Sequence, residues 1–187
     1  TMKQVARLLF GLVCSLLLCL QSAQANDKAM VTGRFTSQPA GHYEFCKIHP
    51  EECGPTKADA PIVLDAETWK LIVEVNVYVN LSVVPITDAM QWGTDEIWSY
   101  PNDRGDCEDY ALEKRRMLAR LGIPLSDLLI TVVRKSDGEG HAVLTVDTDQ
   151  GNFVLDNLTE EVLHWDKTGY KFIKRQASEH AGIWVAI

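Results

Sequence analysis

Residues 105–121 read Gly105-Asp-Cys-Glu-Asp-Tyr-Ala-Leu-Glu-Lys-Arg-Arg-Met-Leu-Ala-Arg-Leu121, and from Asp106 to Leu121 they form the clearest helix in the chain. Ala111, Leu112, Leu118 and Leu121 supply its apolar face, Gly122 its C-terminal stop and Pro124 the punctuation beyond. Cys107, Ala111, Leu118 and Leu121 are spaced 4, 7 and 3 apart, so the thiol shares the core-facing side. Ahead of the helix, Tyr100-Pro-Asn-Asp-Arg-Gly105 is a loop.

Downstream the period changes. Leu128 to Arg134, His141 to Asp147 and Asn152 to Leu155 are apolar runs of β character. The turns between them are Ser136-Asp-Gly-Glu-Gly and Thr148-Asp-Gln-Gly. A further strand includes Tyr170 to Ile173, and Ile183 to Ile187 closes the sheet. Helices first and an antiparallel sheet second make an α+β fold. Upstream, Asp65-Ala-Glu-Thr is a helix cap that leads on to about Asn80. Yet Val73, Val75, Val77, Val79, Leu81 and Val83 alternate with polar residues and Tyr78, and periodicity alone reads strand. Residues 26–60, rich in Gly, Pro, Thr and Ser, read as a loop-rich, weakly structured lead-in.

The whole chain has 187 residues, with 26 acids against 18 bases and a net charge of -8. That balance argues against nucleic acid as a partner, since phosphates call for a basic face, and disfavours anionic lipid surfaces. Lys3 and Arg7, the apolar run Leu8 to Leu20 and the small-x-small triplet Ala23-Gln-Ala25 are the marks of a signal peptide over residues 1–25. A run of that length is too short to span a bilayer, which takes about 20 apolar residues. Without the leader, 16 bases face 26 acids and the net charge becomes -10. The expected site is therefore periplasmic or secreted, with membrane contact only through the uncleaved leader.

Export also decides the cysteines, because disulfides persist outside the cytosol. Past the leader there are three: Cys46, Cys53 and Cys107. Cys46 and Cys53 flank a Pro-containing loop, and a disulfide is favoured over a metal site with His49, whose spacing is unusual for zinc. Cys107 is left over at the first turn of the best helix, where unpaired N–H groups and the helix dipole favour a thiolate. Asp106, Glu108 and Asp109 oppose that by charge repulsion. Two readings of these acids stand, helix capping and a calcium site, and spacing alone favours capping. Pairing the strands about the Thr148–Gln150 turn sets His141 opposite Asn157, one residue from Asp156. A base held by a carboxylate is what a cysteine nucleophile needs. His42, His49, His164 and His180 read as structural or surface groups. Trp92 and Trp98 are candidate oxyanion donors but read more readily as core.

Gly105-Asp-Cys-Glu-Asp-Tyr-Ala-Leu-Glu-Lys-Arg, then Gly140-His-Ala-Val-Leu, then Leu155-Asp-Asn-Leu resembles the bacterial transglutaminase-like cysteine peptidases, exported members of the papain-like superfamily. The resemblance runs from about Asp65 to the C-terminus. It implies a papain/transglutaminase-like peptidase domain over residues 61–187, with N-terminal helices and the nucleophile helix packed on an antiparallel sheet. It implies Cys107 as nucleophile, His141 as base and Asp156 as its orienting acid, with Asp106, Glu108 and Asp109 as calcium ligands. It implies a helix where Asn76 and Asn80 lie, against the alternation. It also implies a protein or peptide substrate and a membrane-bound regulatory receptor. Acyl transfer or amide hydrolysis of the transglutaminase type, or a binding module without activity, are the alternatives on the same fold.

Overall fold

The computed structural model describes residues 29–57 and 60–187. The expected signal peptide, residues 1–25, lies outside the described residues. In chain order the elements are β1 (Phe35–Thr36), α1 (Ala40–Ile48), α2 (Ala66–Ser82), β2 (Val84–Pro85), α3 (Asp88–Trp92), β3 (Arg104–Gly105) and α4 (Cys107–Arg120). There follow β4 (Leu128–Arg134), β5 (Gly140–Thr148), β6 (Gly151–Leu155), β7 (Leu163–His164), β8 (Lys171–Ala177) and β9 (His180–Ala186). Seven strands form one antiparallel sheet in the order β1-β9-β8-β4-β5-β6-β7. The fold is α+β and transglutaminase-like, with α4 packed against β4 and β5.

The largest apolar cluster fills the space between the helices and the sheet. Leu112 and Leu118 of α4 meet Leu128 and Ile130 of β4, Leu144 of β5 and Val75 of α2 there, all buried. Leu121, expected on the same face, is instead 54% exposed, because the helix has ended and Gly122 turns the chain at φ 100°. A smaller cluster of Met30, Val133, Val143, Val154 and Phe172 takes in the partly buried Tyr170.

The strand reading of residues 73–83 is overturned: α2 is a helix through Ser82. Its buried residues Ile72, Val75, Asn76 and Val79 recur at helical spacing, while Tyr78 and Leu81 point to solvent. The Asp65 side chain caps it, accepting from the Thr68 N–H at 2.8 Å. Tertiary contacts tip the balance against β propensity. Asn80 Nδ2 donates to the carbonyls of Asp156 (2.9 Å) and Thr159 (3.0 Å), and Asn76 Nδ2 to that of Glu160 (3.1 Å). Those bonds hold the turn after β6 only if both amides share one helix face.

The lead-in expected over residues 26–60 is also more ordered than its composition implied. It holds β1, paired to β9, and α1, whose Phe45 lies in the main cluster. Cys46 and Cys53 are disulfide-bonded. His42 is buried, accepts from Trp184 Nε1 at 3.3 Å, and has its pKa lowered to about 3 by burial and then by Arg115. It is a neutral structural group, which agrees with the sequence reading.

Candidate active site

Three elements converge on one cleft of about 360 Å³, lined among others by Trp98, Cys107, Glu108, His141 and Ala142. Cys107 is the first residue of α4, with Asp106 as the N-cap. Gly105 precedes it because the Asp109 carboxylate packs where a Cβ would stand. Asp109 in turn accepts from the Ser99 N–H at 2.8 Å, tying the preceding loop to the first turn of α4.

His141 is the second residue of β5, and Asp156 directly follows β6. The hairpin pairs Leu144 with Leu155 and Thr148 with Gly151, one residue out of step with the register expected from sequence. The difference matters, since a one-residue slip sends side chains to the other face. Carried on to the strand ends, the observed register sets Asp156 opposite Val143, on the face His141 shares. The expected one would have parted them. In the structure His141 Nε2 and Asp156 Oδ1 are 2.8 Å apart, both residues buried.

Burial alone would raise the Asp156 carboxyl. Hydrogen bonds from His141, from the Tyr170 hydroxyl and from the Leu158 N–H outweigh it and hold the group below the usual carboxylate range. An ionised carboxylate only accepts, so His141 Nε2 carries the proton and Nδ1 is the free nitrogen.

Cys107 is part-buried and is the free cysteine among the described residues. Its sulfur donates to Glu108 Oε2 at 3.1 Å, and the Ala142 N–H points at it. Burial and then the Glu108 charge push the thiol well above its usual pKa, against the lowering by the Ala142 N–H. The helix terminus therefore does not outweigh the acids around the thiol. Trp98 is buried in the core, whereas Trp92 is 52% exposed, contrary to its reading as core.

Two acids of the expected set, Asp106 and Glu108, come together with a third, Asp88. Asp88, Asp106 and Glu108 bring one carboxylate oxygen each within 4.8 Å of one another. Asp109 Oδ1 accepts from Ser99 while its Oδ2 is buried without a hydrogen-bond partner, and sequence spacing gave no sign of Asp88, which enters from α3 across the loop. Asp88 Oδ1 and Asp106 Oδ1 are buried without a hydrogen-bond partner, and burial raises both Asp88 and Glu108, helped by the Asp106 charge. The two orphaned oxygens of Asp88 and Asp106, with the Glu108 carboxylate beside them, fit a divalent cation such as calcium.

Behind the site, Lys114 of α4 is 1% exposed and its Nζ has no hydrogen-bond partner among the described residues. Burial pulls its pKa from 10.5 down to about 7, against the attraction of Asp156. The unfolded chain then binds more protons between those values, so this group's penalty is full below about pH 7 and is relieved as pH rises toward 10.5. Lys114→Met is expected to stabilise the fold by about 1–4 kcal/mol at pH 6 and by much less at pH 10. Urea unfolding at the two pH values measures this, and an equal effect at both would refute it.

Residues 32–187 match the sequence profile of the family described as bacterial transglutaminase-like cysteine proteinase, BTLCP. The chain belongs to that family. It is a cysteine peptidase. Legionella pneumophila LapG superposes with a TM-score of 0.54 at 27% identity, over 63% of this chain and 68% of LapG. The calcium-bound form of the same Legionella protein gives a TM-score of 0.55 at 22% identity over 80% and 82% of the two chains, a likeness that shows the fold. An EGTA-treated LapG matches as the first does, at 27% identity and a TM-score of 0.54 over 63% and 67%. No curated protein matches the chain.

Proposed function

We propose that this transglutaminase-like cysteine peptidase is exported and hydrolyses peptide bonds of a protein substrate through Cys107, His141 and Asp156. The observation that carries this reading is the buried His141–Asp156 pair opening on the same cleft as the Cys107 thiol. In it the thiol turns from Glu108 toward the imidazole, and Nδ1 takes its proton as sulfur attacks the substrate carbonyl. The imidazolium, held by Asp156, returns that proton to the leaving amine. Water then hydrolyses the thioester, giving its proton to the same nitrogen. The Cys107 N–H, in the first turn of α4, would stabilise the oxyanion. Asp88, Asp106 and Glu108 would hold calcium, which supplies positive charge against the carboxylates that keep the thiol protonated.

In this reading residues 1–25 direct the rest of the chain to the periplasm or beyond, and a membrane-bound receptor is the regulatory partner. The test treats the full chain with iodoacetamide at pH 7, with and without EGTA, and maps adducts by mass spectrometry. Cys107 is expected to label, about 100-fold more slowly in His141→Ala and more slowly with EGTA. Cys107→Ala is expected to hydrolyse nothing. Hydrolysis retained in Cys107→Ala sinks the reading, and a thiol that stays unlabelled points to a binding module on this fold.

A further inference from the structure

Asp156 meets three donors with two oxygens. Oδ1 accepts from His141 Nε2 at 2.8 Å and from the Leu158 N–H at 3.0 Å, while Oδ2 accepts from the Tyr170 hydroxyl at 2.6 Å. The same tyrosine meets the base: the Tyr170 and His141 ring centroids are 5.7 Å apart at 65°, an edge-to-face contact. Tyr170 thus touches both partners of the pair at once. It comes from outside the hairpin that carries them, one residue before β8.

We propose that Tyr170 is a positioning residue that locks the His141–Asp156 pair in its working orientation. The proposal rests on the reading of those two residues given above. Its own placement is fixed from several sides. The Tyr170 N–H donates to Thr168 Oγ1 at 3.3 Å, Gly169 turns the chain ahead of it at φ 73°, and the ring packs on the Val133, Val143 and Phe172 cluster.

Two bonds to Oδ1 alone leave the carboxylate free to swing about its χ2 axis, dividing one oxygen between an imidazole and a backbone amide. The phenol closes that freedom by fixing Oδ2. The opening beside that oxygen is a cavity of about 40 Å³ lined by Asp156, Thr159, Thr168 and Tyr170. It has room for about one water, so a water replacing the hydroxyl would find hydroxyl partners but would not hold the imidazole ring. Burial, then the hydrogen bond to Asp156 and its charge, raise the phenol pKa, which keeps the hydroxyl a donor across the working range. A ring edge against the imidazole also bars the rotation that would present the wrong nitrogen to Cys107.

The test compares Tyr170→Phe, which keeps the ring and removes the hydroxyl, with Tyr170→Leu, which removes both contacts. Two readouts are taken on the full chain. One is the ¹⁵N spectrum of His141 with labelled histidine, which reports the tautomer. The other is the rate of Cys107 alkylation by iodoacetamide at pH 7. Tyr170→Phe is expected to mix the tautomers at His141 and slow alkylation about 10-fold, and Tyr170→Leu about 100-fold, in the range seen for orienting groups. Urea midpoints identify any variant that has merely lost its fold, and the tautomer is then read in the variant that keeps it. A single Nε2–H tautomer with an unchanged rate in a folded Tyr170→Phe overturns the proposal, as does slowed alkylation without any change at His141. Failure of the catalytic reading shows differently: His141→Ala would then label as fast as the parent, whatever Tyr170 does.

Discussion

Asp156→Ala is expected to lower the turnover of the peptidase about 10⁴-fold while leaving it folded. The carboxylate is ionised in its buried position because three donors converge on it, the His141 Nε2–H among them. Alanine leaves that N–H unpaired in a residue only 6% exposed. The proton is then free to move to Nδ1, the nitrogen that the proposed reaction needs as a bare acceptor for the Cys107 thiol. The imidazolium formed on attack also loses its counter-charge. Asp156→Asn should fall between parent and alanine, since an amide oxygen still accepts from Nε2–H but carries no charge. The fold is expected to survive because the turn is tied to α2 through the Asp156 backbone carbonyl, which accepts from Asn80 Nδ2 at 2.9 Å. Turnover and Cys107 alkylation, with circular dichroism as the check on folding, measure this. An alanine variant within 10-fold of the parent would remove Asp156 from the chemistry.

Much of this arrangement was legible in the sequence where local signals and tertiary structure agree. The helix from Cys107 has an acid at the N-cap position before it and a glycine after it, and β4 is bounded as its apolar run is. The signals failed where distant parts of the chain decide. Alternating valines in residues 73–83 describe a strand until Asn76 and Asn80 are seen to bind the turn after β6, about 80 residues on. The hairpin register was missed by a single residue, since Thr148 and Gly151 form the closing pair and a glycine at φ 113° permits the tight turn. Asp88 and Tyr170 left no mark at all. Each reaches the site from an element that carries no recognisable motif, and only three-dimensional closure puts Asp88 beside Asp106 or Tyr170 beside His141.

The lead-in shows the same dependence on distant partners, and it makes Glu52→Ala a strongly destabilising change outside the cleft. Arg115 of α4 has a side chain 2% exposed, with Nη1 2.7 Å from Glu52 Oε2. Its Nε donates to the Leu128 carbonyl at 3.1 Å, and Nη2 has no partner among the described residues. Burial pulls the guanidinium pKa down, and the Glu52 charge is the first influence opposing that. Glutamate removal therefore strands a buried cation, which costs about 3–5 kcal/mol, a large part of an ordinary domain's stability. Cys53 follows Glu52 directly, so the disulfide to Cys46 holds the counter-charge at α4 as well as closing the loop. The decisive comparison is Glu52→Ala/Arg115→Met, which removes both charges and leaves no stranded cation. Urea unfolding should show the double variant recovering more than half of the stability lost in Glu52→Ala. If it is no more stable than the single variant, the loss comes from packing around residue 52, and the charge pair is not what binds the lead-in to the helix that presents Cys107.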